Sequence, residues 1–211
     1  MSARGYRHLD DLHAAYRERG SDIRRRLAAF AAVPREEYFP ELVYCLLTPQ
    51  SSAINAARAV EALRHAGCWD RPEISSGILR RASAYIRFHN TKAKRIAEAY
   101  AAFATIAGTL ATTTDARELR AWLVGNVKGL GWKEASHFLR NIGRRNLAIL
   151  DRHILRNLKH HGALASIPTT LTPKRYTAIE RRFDRFAEAV GIPMDELDLL
   201  FWSNETGEIL K

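Results

Sequence analysis

Val127-Lys128-Gly129-Leu130-Gly131-Trp132-Lys133-Glu134-Ala135-Ser136 reads as apolar-x-Gly-apolar-Gly followed by the opening of a helix. The two glycines permit a tight turn with positive φ and let the backbone approach a ligand closely. The helix behind them offers free N–H groups and a positive dipole end, which suit a phosphate. Upstream lies a helical face of Leu119, Trp122 and Leu123; downstream lies another of Ala135, Phe138, Leu139 and Ile142. A hairpin between two such helices holds a nucleic-acid backbone without reading its sequence. Taken alone, the glycines fit a plain helix–helix loop equally well.

Outward from this turn, apolar residues recur at steps of three and four almost everywhere. Leu9, Leu12 and Tyr16 share a face, as do Ile23, Leu27 and Phe30. Val33-Pro34 marks a boundary, and Leu42 to Leu47 is a short apolar run stopped by Thr48-Pro49. Ser51 or Ser52 caps a helix bearing Ile54, Ala57, Val60 and Leu63; Asn90 or Thr91 opens one bearing Ile96, Tyr100 and Phe103. Asp115 with Glu118 starts the helix before the hairpin in capping-box fashion. Asn146 to Leu150 looks extended, and Arg152 to His161 is helical again. Thr172-Pro173 opens a helix with Tyr176, Ile179, Phe183, Phe186 and Val190, and Pro193 leads into a last one through Leu197, Leu200 and Phe201. The pattern predicts an all-α protein of about ten helices with short connections.

The chain has 211 residues, 46% of them apolar, with 33 Lys+Arg against 23 Asp+Glu for a formal charge of +10. That excess points to a polyanionic partner, nucleic acid before an acidic membrane surface. No run approaches the ~20 apolar residues of a membrane span. MSARGYRHLDD has charges with no apolar run behind them, so no secretory signal is visible and the protein reads as intracellular. Cys45 and Cys68 are too few for a disulfide framework or a four-cysteine metal site, and read as small buried hydrophobes. His8, His13, His65, His160 and His161 lack metal-ligand spacing with carboxylates. Arg24-Arg25-Arg26, Arg80-Arg81 and Arg181-Arg182 read as solvated faces.

Lys133 follows the second hairpin glycine by two positions, and Asp151 follows Lys133 by 18. One helix and a return segment fill that spacing, so both residues can face one cleft. Without further context Lys133 is a helix-start lysine for phosphate, and Asp151 in Leu150-Asp151-Arg152-His153 is a helix N-cap. This pairing resembles the helix-hairpin-helix DNA glycosylase superfamily, in which a hairpin lysine and a downstream aspartate form the active site. Two further segments carry the resemblance: Leu46-Leu47-Thr48-Pro49-Gln50-Ser51-Ser52-Ala53, and Asn90-Thr91-Lys92-Ala93-Lys94-Arg95-Ile96. Endonuclease III relatives place a DNA-wedging glutamine in the first and write the second Asn-Ser-Lys-Ala. They usually end in a four-cysteine iron–sulfur loop, which this chain lacks. Its ending, Asp198-Leu199-Leu200-Phe201-Trp202-Ser203-Asn204-Glu205-Thr206-Gly207-Glu208-Ile209-Leu210-Lys211, resembles instead the type 2 8-oxoguanine DNA glycosylase/lyase branch, found mainly in archaea and in some bacteria.

The resemblance implies two helical subdomains with DNA in a cleft between them: a central barrel over 35–145, and a second subdomain from 1–34 and 146–211. It implies excision of 8-oxoguanine from double-stranded DNA and cleavage of the abasic site by β-elimination, with no metal or organic cofactor. The expected setting is a monomer in a prokaryotic cytoplasm, associated with the nucleoid. Lys133 is then the nucleophile and Schiff-base former. A free lysine is almost wholly protonated at neutral pH, so burial or nearby cations are needed, and Lys128 and Arg140 are the local ones. Asp151 stabilises the charge that develops on the sugar and helps activate Lys133. Gln50 fills the hole left by the flipped nucleotide, while Gly129, Gly131, Arg144, Arg145 and Arg152 hold the DNA backbone. Trp202, Lys211 and Phe88 face the base. The rival readings are an endonuclease III-like preference for oxidised pyrimidines, a non-catalytic helix-hairpin-helix DNA-binding module, and a basic protein–protein adaptor.

Overall fold

The computed structural model describes residues 5–69, 71, 75–207 and 209, and every regular element among them is helical. In chain order the α-helices are α1 (Leu9–Ala31), α2 (Tyr38–Leu47), α3 (Ala53–His65), α4 (Ser75–Leu79), α5 (His89–Ala101), α6 (Phe103–Thr112), α7 (Ala116–Asn126), α8 (Trp132–Asn141), α9 (Arg152–His160), α10 (Pro173–Val190) and α11 (Met194–Thr206). Short 3-10 turns lie at Arg35–Glu37 and Ala82–Ala84. No helix among the described residues is long and apolar enough to cross a membrane.

Local chemistry sets most helix starts. Ser52 Oγ accepts from the Asn55 amide at 3.1 Å, Asp115 Oδ1 from that of Glu118 at 2.8 Å, and Thr172 Oγ1 from that of Arg175 at 3.3 Å. α5 departs from the sequence expectation by opening at His89, before Asn90 or Thr91. The reason is that Asn90 Oδ1 accepts from the Ser76 hydroxyl, so its side chain is engaged elsewhere. Ala99 to Thr114 carries no charged residue, and the structure divides it between the end of α5 and α6.

The chain forms two compact units: Met1–Ala32 with Gly143–Lys211, and Val33–Ile142. In the second unit α2 is buried from Phe39 to Leu47. Glu41, which accepts from Asn141 Nδ2 at 3.0 Å, is the charged exception in this otherwise mostly apolar helix. So apolar a helix belongs at a centre, and α3, α5 and α8 pack around it. α7 and α8 pack on each other across the glycine hairpin.

In the first unit α11 takes the central place, with α1, α9 and α10 against it. His161, Phe183, Phe186 and Phe201 stack there at ring separations between 5.4 and 6.4 Å. The chain leaves this unit after Ala32 and returns at Gly143, whose φ is +86°. A Cβ on Gly143 would stand 2.7 Å from Ala31 Cα, a backbone atom that cannot step aside. Only glycine fits where the returning chain crosses the end of α1.

Segment 147–150 is buried and lies outside any helix or strand. Its polar backbone must therefore be satisfied by side chains. The Asp195 carboxylate accepts from the Asn146 amide at 3.1 and 3.2 Å, Glu180 Oε1 from Ala148 N at 2.9 Å, and Asp198 Oδ2 from Ile149 N at 3.2 Å. The Tyr176 hydroxyl accepts from Leu150 N at 3.2 Å and donates to Ala148 O at 2.6 Å. This strap delivers the chain to Asp151.

Candidate active site and nucleic-acid interface

In the unit Val33–Ile142, the hairpin closes through Leu130 N donating to Val127 O at 3.1 Å. Gly129 has φ +94°, and a Cβ there would meet Arg95 Cγ at 3.2 Å and Leu46 Cδ2 at 3.3 Å. The hairpin thus rests on the end of α2 and on α5. Gly131 is the extended N-cap of α8, and Lys133 stands on that helix's first turn. The Lys133 side chain is 29% exposed, and its Nζ lies 3.9 Å from Glu134 Oε1. Beneath it Cys45 is fully buried; burial holds its thiol far above the ordinary range, Glu41 adds to this, and Lys133 and Arg140 act against it. Of the two expected neighbouring cations, Arg140 is buried in this cluster. Lys128 projects from the exposed hairpin and pairs with Glu98 at 3.6 Å.

Fully buried Arg120 couples the hairpin's two helices. Its guanidinium lies 4.8 Å over the Trp132 ring and donates to Ser136 Oγ at 3.2 Å. Gln50 is exposed in the turn after α2, with a left-handed φ of 55°. Phe88 is 52% exposed with φ 60°, and the Arg87 guanidinium lies 4.9 Å over its ring. Ser51 Oγ accepts from Arg87 N at 3.2 Å, so the Gln50 and Phe88 turns are tied together.

In the other unit, Asp151 caps α9: its Oδ1 accepts from His153 N at 2.8 Å and Ile154 N at 2.9 Å. Oδ2 has no hydrogen bond among the described residues. One oxygen therefore fixes the carboxylate while the other stays available to a cation. Arg152 is exposed, and its Nε lies 3.2 Å from His153 Nε2. His153 Nδ1 stands 3.2 Å from Glu205 Oε2, joining the first turn of α9 to the last turn of α11. Trp202, one turn earlier on α11, is half-buried. Arg144 and Arg145 are half-buried just before the strap. Lys211 lies outside the described residues.

The structure therefore gathers Lys133, Gly129, Gly131, Gln50 and Phe88 in one unit, and Asp151, Arg152, Arg144, Arg145 and Trp202 in the other. The spacing arguments missed the strap's Tyr176, Glu180, Asp195 and Asp198, and also Arg120, Lys92 and the His153–Glu205 pair. Lys92 did carry a signal, because it sits in the Asn-Thr-Lys-Ala segment quoted above. The arginines Arg24, Arg25, Arg80, Arg81, Arg181 and Arg182 are exposed. Both cysteines are free and buried. Among the described residues, no group of three or more His, Cys, Asp or Glu is arranged to hold a metal ion.

A glycine hairpin between packed helices, with a half-buried lysine directly behind it, makes this a helix-hairpin-helix protein. The sequence profile of the family described as 8-oxoguanine DNA glycosylase matches residues 23–192. The chain belongs to that family. The 8-oxoguanine DNA glycosylase/AP lyase of Korarchaeum cryptofilum is 40% identical over 96% of this chain and 99% of its own. Its counterpart in Fusobacterium nucleatum is 38% identical over 97% and 98%. Among solved structures, the Methanocaldococcus jannaschii 8-oxoguanine glycosylase/lyase, in complex with a 15-mer DNA containing 8-oxoguanine, superposes with a TM-score of 0.87. It is 32% identical, over 96% of this chain and 99% of that one. The Thermotoga maritima 8-oxoguanine DNA glycosylase gives 0.85 at 33% identity, over 96% and 98%.

Proposed function

We propose that this chain excises 8-oxoguanine from double-stranded DNA and then cleaves the abasic site, with Lys133 as nucleophile and Asp151 as electrostatic partner. The lesion nucleotide is turned out of the stack so that its C1′ becomes reachable. Neutral Lys133 Nζ attacks C1′, the C1′–N9 bond breaks, and the base leaves with the electron pair and takes up a proton. Positive charge grows on the sugar as that bond stretches, and the uncommitted Oδ2 of Asp151 stabilises it. The opened sugar stays on Lys133 as a Schiff base. The iminium form of that Schiff base makes the C2′ proton acidic, and its removal expels the 3′ phosphate. An amine nucleophile is required, because water could release the base but could not form the Schiff base.

The other residues assist binding. The hairpin amides and the N-terminus of α8 hold phosphate, with Arg152, Arg144 and Arg145 as further phosphate partners. Gln50 occupies the gap in the stack, and Trp202, Phe88 and Lys211 form the base-recognition set. Telling 8-oxoguanine from guanine needs an acceptor for the lesion's N7–H, since guanine has an acceptor at that position.

The observation that carries this reading is the half-buried Lys133 amine immediately behind the hairpin glycine, in a chain whose relatives are named glycosylase and lyase. Borohydride trapping on duplexes containing 8-oxoguanine, an oxidised pyrimidine or a preformed abasic site tests it. An adduct on 8-oxoguanine and on the abasic site is the expected result. Trapping on the pyrimidine lesion but not on 8-oxoguanine would replace the substrate. Trapping on none would reduce the chain to a DNA-binding module.

A further inference from the structure

Lys92 is on the first turn of α5 with 7% of its surface exposed. Its Nζ donates to Leu47 O at 2.7 Å, to Pro49 O at 2.6 Å and to Ser51 Oγ at 3.2 Å. An ammonium has three donors, and all three are spent on the segment that presents Gln50. Leu47 O is in the last turn of α2, where the helix dipole favours a cation. Ser51 Oγ also receives the Arg87 amide, which extends the same clasp to the turn before Phe88.

Two independent features show what the clasp holds. Gln50 and Phe88 are both non-glycine residues in the left-handed region, at φ 55° and 60°, and both are exposed. Such a backbone persists only where its surroundings over-determine it. A buried amine is costly in itself: desolvation brings Lys92 down to about 8, with Glu134 opposing the shift. An apolar side chain in its place would avoid that desolvation but would leave the carbonyls of Leu47 and Pro49 without this donor.

We infer that Lys92 is a positioning residue for DNA distortion: it locks the Gln50 turn in the strained conformation that enters the duplex, and through Ser51 ties it to the turn before Phe88. The inference rests on the role proposed above for Gln50. In this arrangement Lys92 does not touch DNA. It removes in advance the conformational freedom that the Gln50 turn would otherwise lose on binding. A misplacement of about 1 Å in such a group costs up to ~100-fold in rate.

The test is a double-mutant cycle in single-turnover excision of 8-oxoguanine from duplex DNA, with 2-aminopurine beside the lesion to report stacking. Lys92→Met and Gln50→Ala are each expected to lose about tenfold in rate, and the double variant no more than the larger single loss. The 2-aminopurine signal of Lys92→Met should match that of Gln50→Ala. Losses that multiply to about 100-fold overturn the inference, because Lys92 would then act apart from Gln50. Full activity in a folded Lys92→Met alongside an impaired Gln50→Ala overturns it while leaving Gln50's role intact. Full activity in Gln50→Ala overturns that role instead. Should Lys92→Met fail to fold by circular dichroism, Ser51→Ala takes its place in the same cycle. A smaller loss that vanishes in the Gln50→Ala background supports the clasp, and an additive loss sinks it.

Discussion

The hairpin before Lys133 and the strap before Asp151 each lead one of the proposed catalytic side chains to the start of a helix, and they are built differently. The hairpin closes on itself through Leu130 N to Val127 O and Ala135 N to Gly131 O. Its backbone partners lie within four residues, and its tip is exposed. The strap is buried; apart from Asp151 N donating to Ile149 O at 2.7 Å, its amides donate to side chains 26 to 49 residues further along the chain. The hairpin's own hydrogen bonds are local, and its exposed tip leaves Lys128 and Gly129 open to solvent. A segment held by distant carboxylates and a tyrosine is fixed before DNA arrives, as the electrostatic role proposed for Asp151 requires.

The largest effect that bears on this comparison belongs to Lys133→Gln. It should lower excision by at least about 10³-fold while phosphate binding persists, as gel-shift and single-turnover assays would show. Next comes Asp151→Asn. Asparagine caps a helix as well as aspartate does, so the melting temperature should hold while excision falls about 10²–10³-fold. A lower melting temperature with unchanged excision would mean that Asp151 is only a cap.

Tyr176→Phe separates the two constructions more finely. It deletes the hydroxyl that serves both Leu150 N and Ala148 O, at an expected cost of about 1–3 kcal/mol in denaturant unfolding. Gly129→Ala strains the hairpin at φ +94° and presses on Arg95 and Leu46. It should cost about 1–3 kcal/mol as well. The contrast is functional: Gly129→Ala weakens DNA affinity, whereas Tyr176→Phe leaves affinity near wild type below its melting point. Equal losses of affinity would erase the distinction.

The smallest effect is on pH dependence. Burial holds His161 below the usual histidine range, so the folded chain prefers the neutral ring. As pH falls past about 6.5 the unfolded chain binds the proton first, and stability drops until the folded ring is protonated too. Thermal melts between pH 7.5 and 5 should show this loss, and a smaller one in His161→Phe. An unchanged acid slope in that variant would remove His161 from the account.

What could be read from the chain follows from the range of the interactions. The hairpin glycines, the caps at Ser52, Asp115, Asp151 and Thr172, and the helical faces all depend on partners within about four residues, and the sequence displays them. α4 and the turn at Ala82–Ala84 are too short to show a period. Asn146 to Leu150 stands out as a short apolar segment between helices, but such a run does not reveal Glu180, Asp195 and Asp198 behind it. Lys92 stands in the Asn90-Thr91-Lys92-Ala93 segment that carries the resemblance, but nothing in that segment names its partners. Only the folded turn shows that its three bonds converge on Leu47, Pro49 and Ser51.

Which atom bonds to the sugar separates a Lys133 nucleophile from every other mechanism. Borohydride-reduced adduct formed on an 8-oxoguanine duplex can be digested with nuclease and protease and mapped by mass spectrometry. A deoxyribose-derived mass on the peptide containing Lys133, fragmenting at that residue, is the predicted result. The same mass on Lys128, Lys92 or any other amine would contradict it.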